Sequence, residues 1–269
     1  MSIITISRGS YNRGKEVAEK VAKELGYECV AREAIVEASQ EFNIPEVKLV
    51  RALHDAPSVL DRFSYGKEKF VAYYQLCFLE HLQRDNVVYH GLAGHFLLKG
   101  ISHVLKIRIL SDMADRVKLE MEREKIQEKE AFRILQNDDE ERRKWSKHLY
   151  GIDANDPSLY DLFIHIKKIT VDDAVDIICH TVGFDHFKTT MESKAVLDDM
   201  LLAARVKVAL IDQAPNAEVS ARQGDIFIKM GSSEYRDEKL VETVTEIAQG
   251  IPGVKNIDIN VVSLVPFGD

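Results

Sequence analysis

A short, almost wholly aliphatic run, Ile3-Ile4-Thr5-Ile6, leads through Ser7 and Arg8 into Gly9-Ser10-Tyr11-Asn12-Arg13-Gly14-Lys15. A segment with Val17, Val21, Ala22 and Leu25 on one helical face follows. A buried strand joined to a helix by a glycine loop commits this part of the chain to an α/β layer, because the helix must return over the sheet that the strand enters. Gly26 reads as the helix C-cap, and Tyr27-Glu28-Cys29-Val30 as a second strand, which completes the grammar of a parallel βαβ unit. The loop matches G-x-x-x-x-G-K and then carries Glu16 where Ser or Thr would complete the pattern. Backbone N–H groups at such a helix start, together with Lys15, suit phosphate oxygens. The same glycines also serve an ordinary strand-to-helix turn that needs positive φ.

Further along, a helical region of about 50 residues closes with an amphipathic stretch from Lys67 to Gln83. Strands are expected at Asn86 to Tyr89, Val104 to Leu110 and Leu162 to Ile166. Helices are expected at Ala93 to Lys99, Asp112 to Glu124, Gln127 to His148 and Val171 to Thr181. The fourth strand is aliphatic except for Lys106 and Arg108, as befits a strand covered on both faces. A polar stretch at 185–193 is the expected linker between a domain at 1–184 and another at 194–269. Beyond it the pattern changes to a helix from Val196 to Asp212, strands at Ala217 to Arg222 and Asp225 to Met230 around Gly224, a helix at Glu238 to Gln249 and a strand at Val254 to Leu264. This αββαβ order predicts a small sheet with two helices on one face and with Ile226, Ile228 and Met230 pointing inward.

The formal net charge of −8 argues against a broad nucleic-acid surface and leaves room only for a focused phosphate cleft. Cys29, Cys77 and Cys179 lack metal-ligand or redox spacing, so packing roles in a reduced compartment are expected. His90 and His95, five apart, do not form an adjacent pair on a helix face, and no metal site is assigned. No run approaches the roughly 18 apolar residues of a membrane span, and a cytoplasmic protein is expected.

Ile4-Thr5-Ile6-Ser7-Arg8 with Gly14-Lys15-Glu16-Val17-Ala18 resembles the opening of cytidylate kinase-like proteins. The resemblance continues through Val87-Val88-Tyr89-His90-Gly91, Asp115-Arg116-Val117, Asp139-Glu140-Glu141-Arg142 with Trp145 and Tyr150, and Asp156-Pro157-Ser158-Leu159-Tyr160-Asp161-Leu162. It implies a P-loop NTPase-type parallel sheet with helices on both faces, a mobile lid, and phosphoryl transfer from ATP, with Mg²⁺, to a nucleoside monophosphate, nominally CMP. By the same resemblance Arg8, Gly9, Ser10, Tyr11, Asn12, Arg13, Gly14, Lys15 and Glu16 form the phosphate-binding set. Lys15, Arg116, Arg123, Asp139 and Arg142 form the catalytic set, with Asp139 orienting Arg142. Three departures bear on activity: Glu16, the bulky Tyr11-Asn12-Arg13, and Leu92 where the family's turn after the third strand carries arginine. The arginines also suit solvated i,i+4 pairs on charged helices, and the acidic run Asp138 to Glu141 suits a solvated face.

The region from 194 onward resembles a BON domain in its element order, in Val206-Lys207-Val208-Ala209-Leu210, and in Ile251-Pro252-Gly253-Val254-Lys255-Asn256-Ile257. That resemblance implies phospholipid contact. Here 8 Lys+Arg against 12 Asp+Glu, a net −4, work against an anionic lipid surface. Ligand sensing, homo-oligomerisation and simple stabilisation are the other roles for the module. For the whole chain two functions stand side by side, a nucleoside monophosphate kinase-like enzyme and a catalytically impaired sensor of a nucleotide or other phosphorylated small molecule.

Overall fold

A computed structural model describes residues 2–8, 13–31, 66–91, 94–232 and 237–263. The chain divides into two compact units, one of residues 1–59 and 84–190 and one of residues 60–83 and 191–269.

In the first unit β1 (Ile3–Arg8), β2 (Glu28–Val30), β3 (Val87–His90), β4 (Val104–Ser111) and β5 (Leu162–Ile166) form one sheet in the order β2-β3-β1-β4-β5, and every pair is parallel. β1 lies centrally, with β3 on one side and β4 on the other, so the strand order reverses there. Its carboxyl end runs into the glycine loop, and such a reversal leaves a crevice above the strand ends. One face of the sheet packs Ile4, Ile6, Val88, Leu105, Ile107, Ile109 and Ile164 against Val17, Ala18 and Val21 of α1 (Gly14–Leu25). α2 (Gly66–Leu82) belongs to the second unit. α3 (Met113–Glu124) and α4 (Glu128–Tyr150) pair through Val117, Ala131 and Leu135, and α5 (Val171–Val182) completes the first face with Ala174, Val175 and Ile178. Full burial of each large aliphatic side chain contributes about 1.5–3 kcal/mol.

Strand alternation turns Thr5, Ser7, Lys106 and Arg108 to the opposite face, where a short 3₁₀ turn, Gly94–Leu98, packs on β1. The periodicity predicts an α-helix at that turn. Only the tighter 3₁₀ turn forms, ending at Leu98, and the positive-φ Gly100 follows before Ile101 and His103 lead into β4. Gly26 caps α1 as expected, with φ 67° and its N–H shared between the carbonyls of Ala22 and Lys23.

The second unit holds α2, α6 (Met191–Ala209), β6 (Glu218–Arg222), β7 (Asp225–Ser232), α7 (Asp237–Gln249) and β8 (Asn256–Ser263). β6 and β7 are antiparallel, joined at Gln223 and Gly224, and β7 and β8 are parallel. Ile226, Ile228 and Met230 point inward against Val206, Leu210, Val244 and Ala248, as the alternation predicts. α6 begins at Met191, earlier than the expected Val196. The expected one-sided apolar face of α2 is not what forms. Phe70, Ala72, Tyr74, Leu76, Cys77, Phe78, Leu79 and Leu82 are buried around most of its circumference, the pattern of an enclosed helix. Lys69–Asp212 at 2.6 Å and Arg205–Glu80 at 3.0 Å tie it to the C-terminal segment.

Candidate functional site

Above the carboxyl ends of β4 and β5 lies a cleft of about 510 Å³, walled by the starts of α1, α3 and α5. Its cations come from three places in the fold, Arg13 and Lys20 from the α1 region, Arg116 and Lys118 from α3, and Lys167 from the loop after β5. Glu16, Asp115, Glu122 and Asp172 supply opposing charge, and Lys20 lies between Glu16 and Asp172. Lys20 is 2.7 Å from Asp172 and 3.5 Å from Glu16, and its hydrogen bond to Asp172 raises its pKa above the ordinary lysine value. Asp112, at the end of β4, accepts from His165 at 3.0 Å and from Lys167, and the Lys167 hydrogen bond holds its carboxyl below the usual range.

Arg13 sits at φ 61°, in the left-handed region, as the residue before α1. A non-glycine residue there signals a constrained backbone where the glycine loop meets the helix. Gly9, Ser10, Tyr11 and Asn12 lie outside the described residues, as does Leu92, and Arg8 is described only as the last backbone position of β1. Gly14, Lys15 and Glu16 form the first helical turn, where unpaired N–H groups and the helix dipole favour an anion. The Lys15 side chain is 64% exposed and 3.5 Å from Glu19, one turn on, while Glu16 faces Arg13 at 3.6 Å.

The expected cations divide. Arg116 is buried in the cleft wall, and both of its terminal nitrogens donate to Asp139, at 2.7 and 2.8 Å. Asp139 is therefore committed to the guanidinium of the neighbouring helix, whereas the sequence suggested Arg142 as its partner. Arg123 pairs with Glu120 and Glu124 near the end of α3, and Arg142 is partly buried on α4; neither lines the cleft. The acidic run is a solvated face only in part, since Asp139 reaches a buried arginine while Glu140 and Glu141 pair with the exposed Lys144.

On the other face of the sheet is a polar network that the sequence reading did not assign. Arg108 on β4 donates to Ser7 Oγ at 2.9 Å and Asn155 Oδ1 at 2.9 Å, and lies 3.5 Å from Tyr160 Oη. Tyr160 donates to the Ala154 carbonyl at 2.8 Å, and its ring lies 4.6 Å from that of His95. Burial, with Arg108 and Lys106 nearby, lowers the His95 pKa to about 3, so this imidazole is neutral at physiological pH. The signal that could have found the network was Lys106 and Arg108 interrupting an aliphatic strand.

Among the described residues no group of three or more His, Cys, Asp or Glu side chains is placed to hold a metal ion, and no helix is long and apolar enough to cross a membrane. The cleft cations fit a polyphosphate, whose oxygens, with water and a carboxylate, suit a magnesium ion. Glu16 is the carboxylate of this chain nearest in sequence to Lys15.

Comparison with known proteins finds relatives in sequence and in fold. A cytidylate kinase of Methanosarcina acetivorans is 36% identical over 100 residues, which is 36% of this chain and 54% of that protein. One of Pyrococcus furiosus is 33% identical over 108 residues, 40% of this chain and 54% of that protein. The chain thus spans about half the length of the curated relatives it matches. The crystal structure of an uncharacterized protein from Eubacterium ventriosum superimposes with a TM-score of 0.54 at 21% identity, over 67% of this chain and 97% of the other, and supports the fold alone. The cytidylate kinase-like family profile matches residues 3–168, which covers β1 to the end of β5, and the chain belongs to that family.

Proposed function

We propose that the protein transfers a phosphoryl group from ATP to a nucleoside monophosphate, nominally CMP. The observation that carries this reading is the cleft at the carboxyl ends of the strands, where the start of α1 and the buried, Asp139-gripped Arg116 converge. In such a transfer an acceptor phosphate oxygen bonds to the γ-phosphorus while the bond to the β–γ bridging oxygen breaks, leaving ADP and a nucleoside diphosphate. The protein's task is positioning and charge stabilisation. The glycine-loop amides and Lys15 would hold the donor phosphates, which requires Lys15 to leave Glu19. Arg116 is held rigidly enough to meet donor oxygens without a rotamer search. Glu16 would stand beside a magnesium ion carried on the phosphates, and that ion would supply neutralisation of the charge developing on them.

A second reading, a nucleotide sensor without turnover, is favoured by Glu16 standing where a hydroxyl is expected and pairing with Arg13 and Lys20. In either reading the C-terminal αββαβ segment, BON-like in its order, is proposed as the regulatory or oligomerising part. Purified protein incubated with ATP, Mg²⁺ and each nucleoside monophosphate, beside Lys15→Ala, separates the two. Diphosphate product that falls at least 100-fold in the variant supports the kinase. Nucleotide binding without product supports the sensor, and no nucleotide binding sinks both.

A further inference from the structure

Arg108 is the unusual feature of the second sheet face. It stands mid-strand in β4, directly opposite Ser7 of β1, at a position where alternation calls for a side chain that packs under cover. The residue is only partly exposed, and the hydrogen-bond partners of its guanidinium are neutral: the Ser7 hydroxyl, the Asn155 amide oxygen and the Tyr160 hydroxyl. Its carbon centre also lies 5.8 Å from the Tyr160 ring centroid. Among the described residues no carboxylate forms an ion pair with it. Asp153, close enough to act on Tyr160, accepts instead from the Asn155 N–H within its own turn.

A partly desolvated cation without a counter-charge is costly to hold, and three neutral oxygens fix its fork without neutralising it. Two orphaned polar atoms share this side of the sheet. His95 is 5% exposed and its Nε2 has no hydrogen-bond partner. Thr5, two residues before Ser7 on the same strand face, is 1% exposed with an unpartnered Oγ1. Buried polar atoms are normally paired, so unmet capacity beside an uncompensated guanidinium points to a ligand with oxygen atoms and negative charge. Ser7 is the penultimate residue of β1, so the cluster lies toward the carboxyl end of that strand, across the sheet from α1 and α5.

We propose that Arg108, fixed by Ser7, Asn155 and Tyr160 with His95 beside it, binds an oxyanion of the phosphoryl acceptor, the phosphate of a nucleoside monophosphate. This rests on the kinase reading and gives it an acceptor subsite, with Arg108 supplying from β4 the cation that the turn after β3 lacks, where the sequence has Leu92. Ser7, Asn155 and Tyr160 act as positioning residues. Lysine cannot replace Arg108 fully, because the three acceptors address a planar fork.

The test is calorimetric titration of the full chain with ATP, with CMP, UMP, AMP and GMP, with cytidine, and with inorganic phosphate, using wild type, Arg108→Met, Arg108→Lys and Asn155→Ala. The expected result is that Arg108→Met weakens the best monophosphate and inorganic phosphate at least tenfold, that Arg108→Lys lies between, and that Asn155→Ala weakens them several-fold. ATP and cytidine affinities should stay within twofold throughout. Unchanged monophosphate and phosphate affinity in Arg108→Met overturns the proposal while leaving the kinase reading intact. If Arg108→Met does not fold, Asn155→Ala decides: that side chain is exposed, and unchanged monophosphate affinity there overturns the proposal too. Should the wild type neither bind ATP nor turn over, the kinase reading fails. Phosphate binding that depends on Arg108 would then still support an oxyanion site, and no phosphate or monophosphate binding to the wild type would end it.

Discussion

Arg116 is 7% exposed, and Asp139, whose side chain is 36% exposed, meets its guanidinium with both oxygens. Removing the carboxylate strands a buried cation, whereas removing both groups strands nothing. A double-mutant cycle with Arg116→Ala and Asp139→Ala, read by urea unfolding, is therefore expected to show a coupling energy of about 1–2 kcal/mol. Asp139→Ala should also weaken ATP binding without altering the fold, by releasing Arg116 from its fixed rotamer. His95 gives a pH-dependent prediction. Its folded pKa is about 3 against an ordinary 6.5, so between those values the unfolded chain binds more protons and stability falls as pH is lowered through that window. The largest slope one such group contributes is about 1.4 kcal/mol per pH unit. His95→Phe is expected to lose less stability than wild type between pH 7 and pH 5 in parallel urea titrations. Equal losses would show that the imidazole is protonated in the folded state.

Among the elements, α5 and α1 carry the clearest local instructions. Thr170 accepts from the Asp173 N–H at 3.1 Å while the Asp173 side chain accepts from the Thr170 N–H at 2.8 Å, a reciprocal capping box at the rim of the cleft. Thr170→Ala is expected to lower stability by about 1 kcal/mol in thermal or urea unfolding. Gly26 ends α1 at φ 67°, and a Cβ added there would meet nothing within 4 Å. Gly26→Ala therefore isolates the backbone strain of the left-handed conformation, about 1–2 kcal/mol with no steric contribution. A loss far above that range would mean that Gly26 contacts something beyond its own turn. The Gly26 cap was legible because its partners lie within four residues, whereas the Thr170–Asp173 box, equally local, was not assigned from the sequence.

For the whole molecule, the assignment of α2 to the unit built around the C-terminal segment makes a prediction about truncation. Phe70, Tyr74, Phe78 and Leu82 are buried, and Lys69, Glu80 and Gln83 are bound to Asp212, Arg205 and Asp198 of the later segment. A chain ending at Thr190 keeps α2 and loses that cover. It is expected to bind the dye ANS strongly and to aggregate at concentrations where the full chain does not. If it stays monomeric and dye-silent, α2 is stable without the C-terminal segment.

Local pattern was enough to place β1, the start of α1, the Gly26 cap, and the inward faces of Ile226, Ile228 and Met230, since each depends on neighbours two to four residues away. Family membership followed from the same stretches in order. What tertiary structure alone decided are pairings across long separations: Arg116 with Asp139 over 23 residues, Arg108 with Ser7 over 101, and α2 with a helix more than 100 residues later. A one-residue change of register would turn Arg108 from the polar network to the aliphatic face, and no periodicity in β4 by itself specifies its register against β1. Strand pairing is settled only when both faces of the sheet are packed, and that packing is a property of the folded chain.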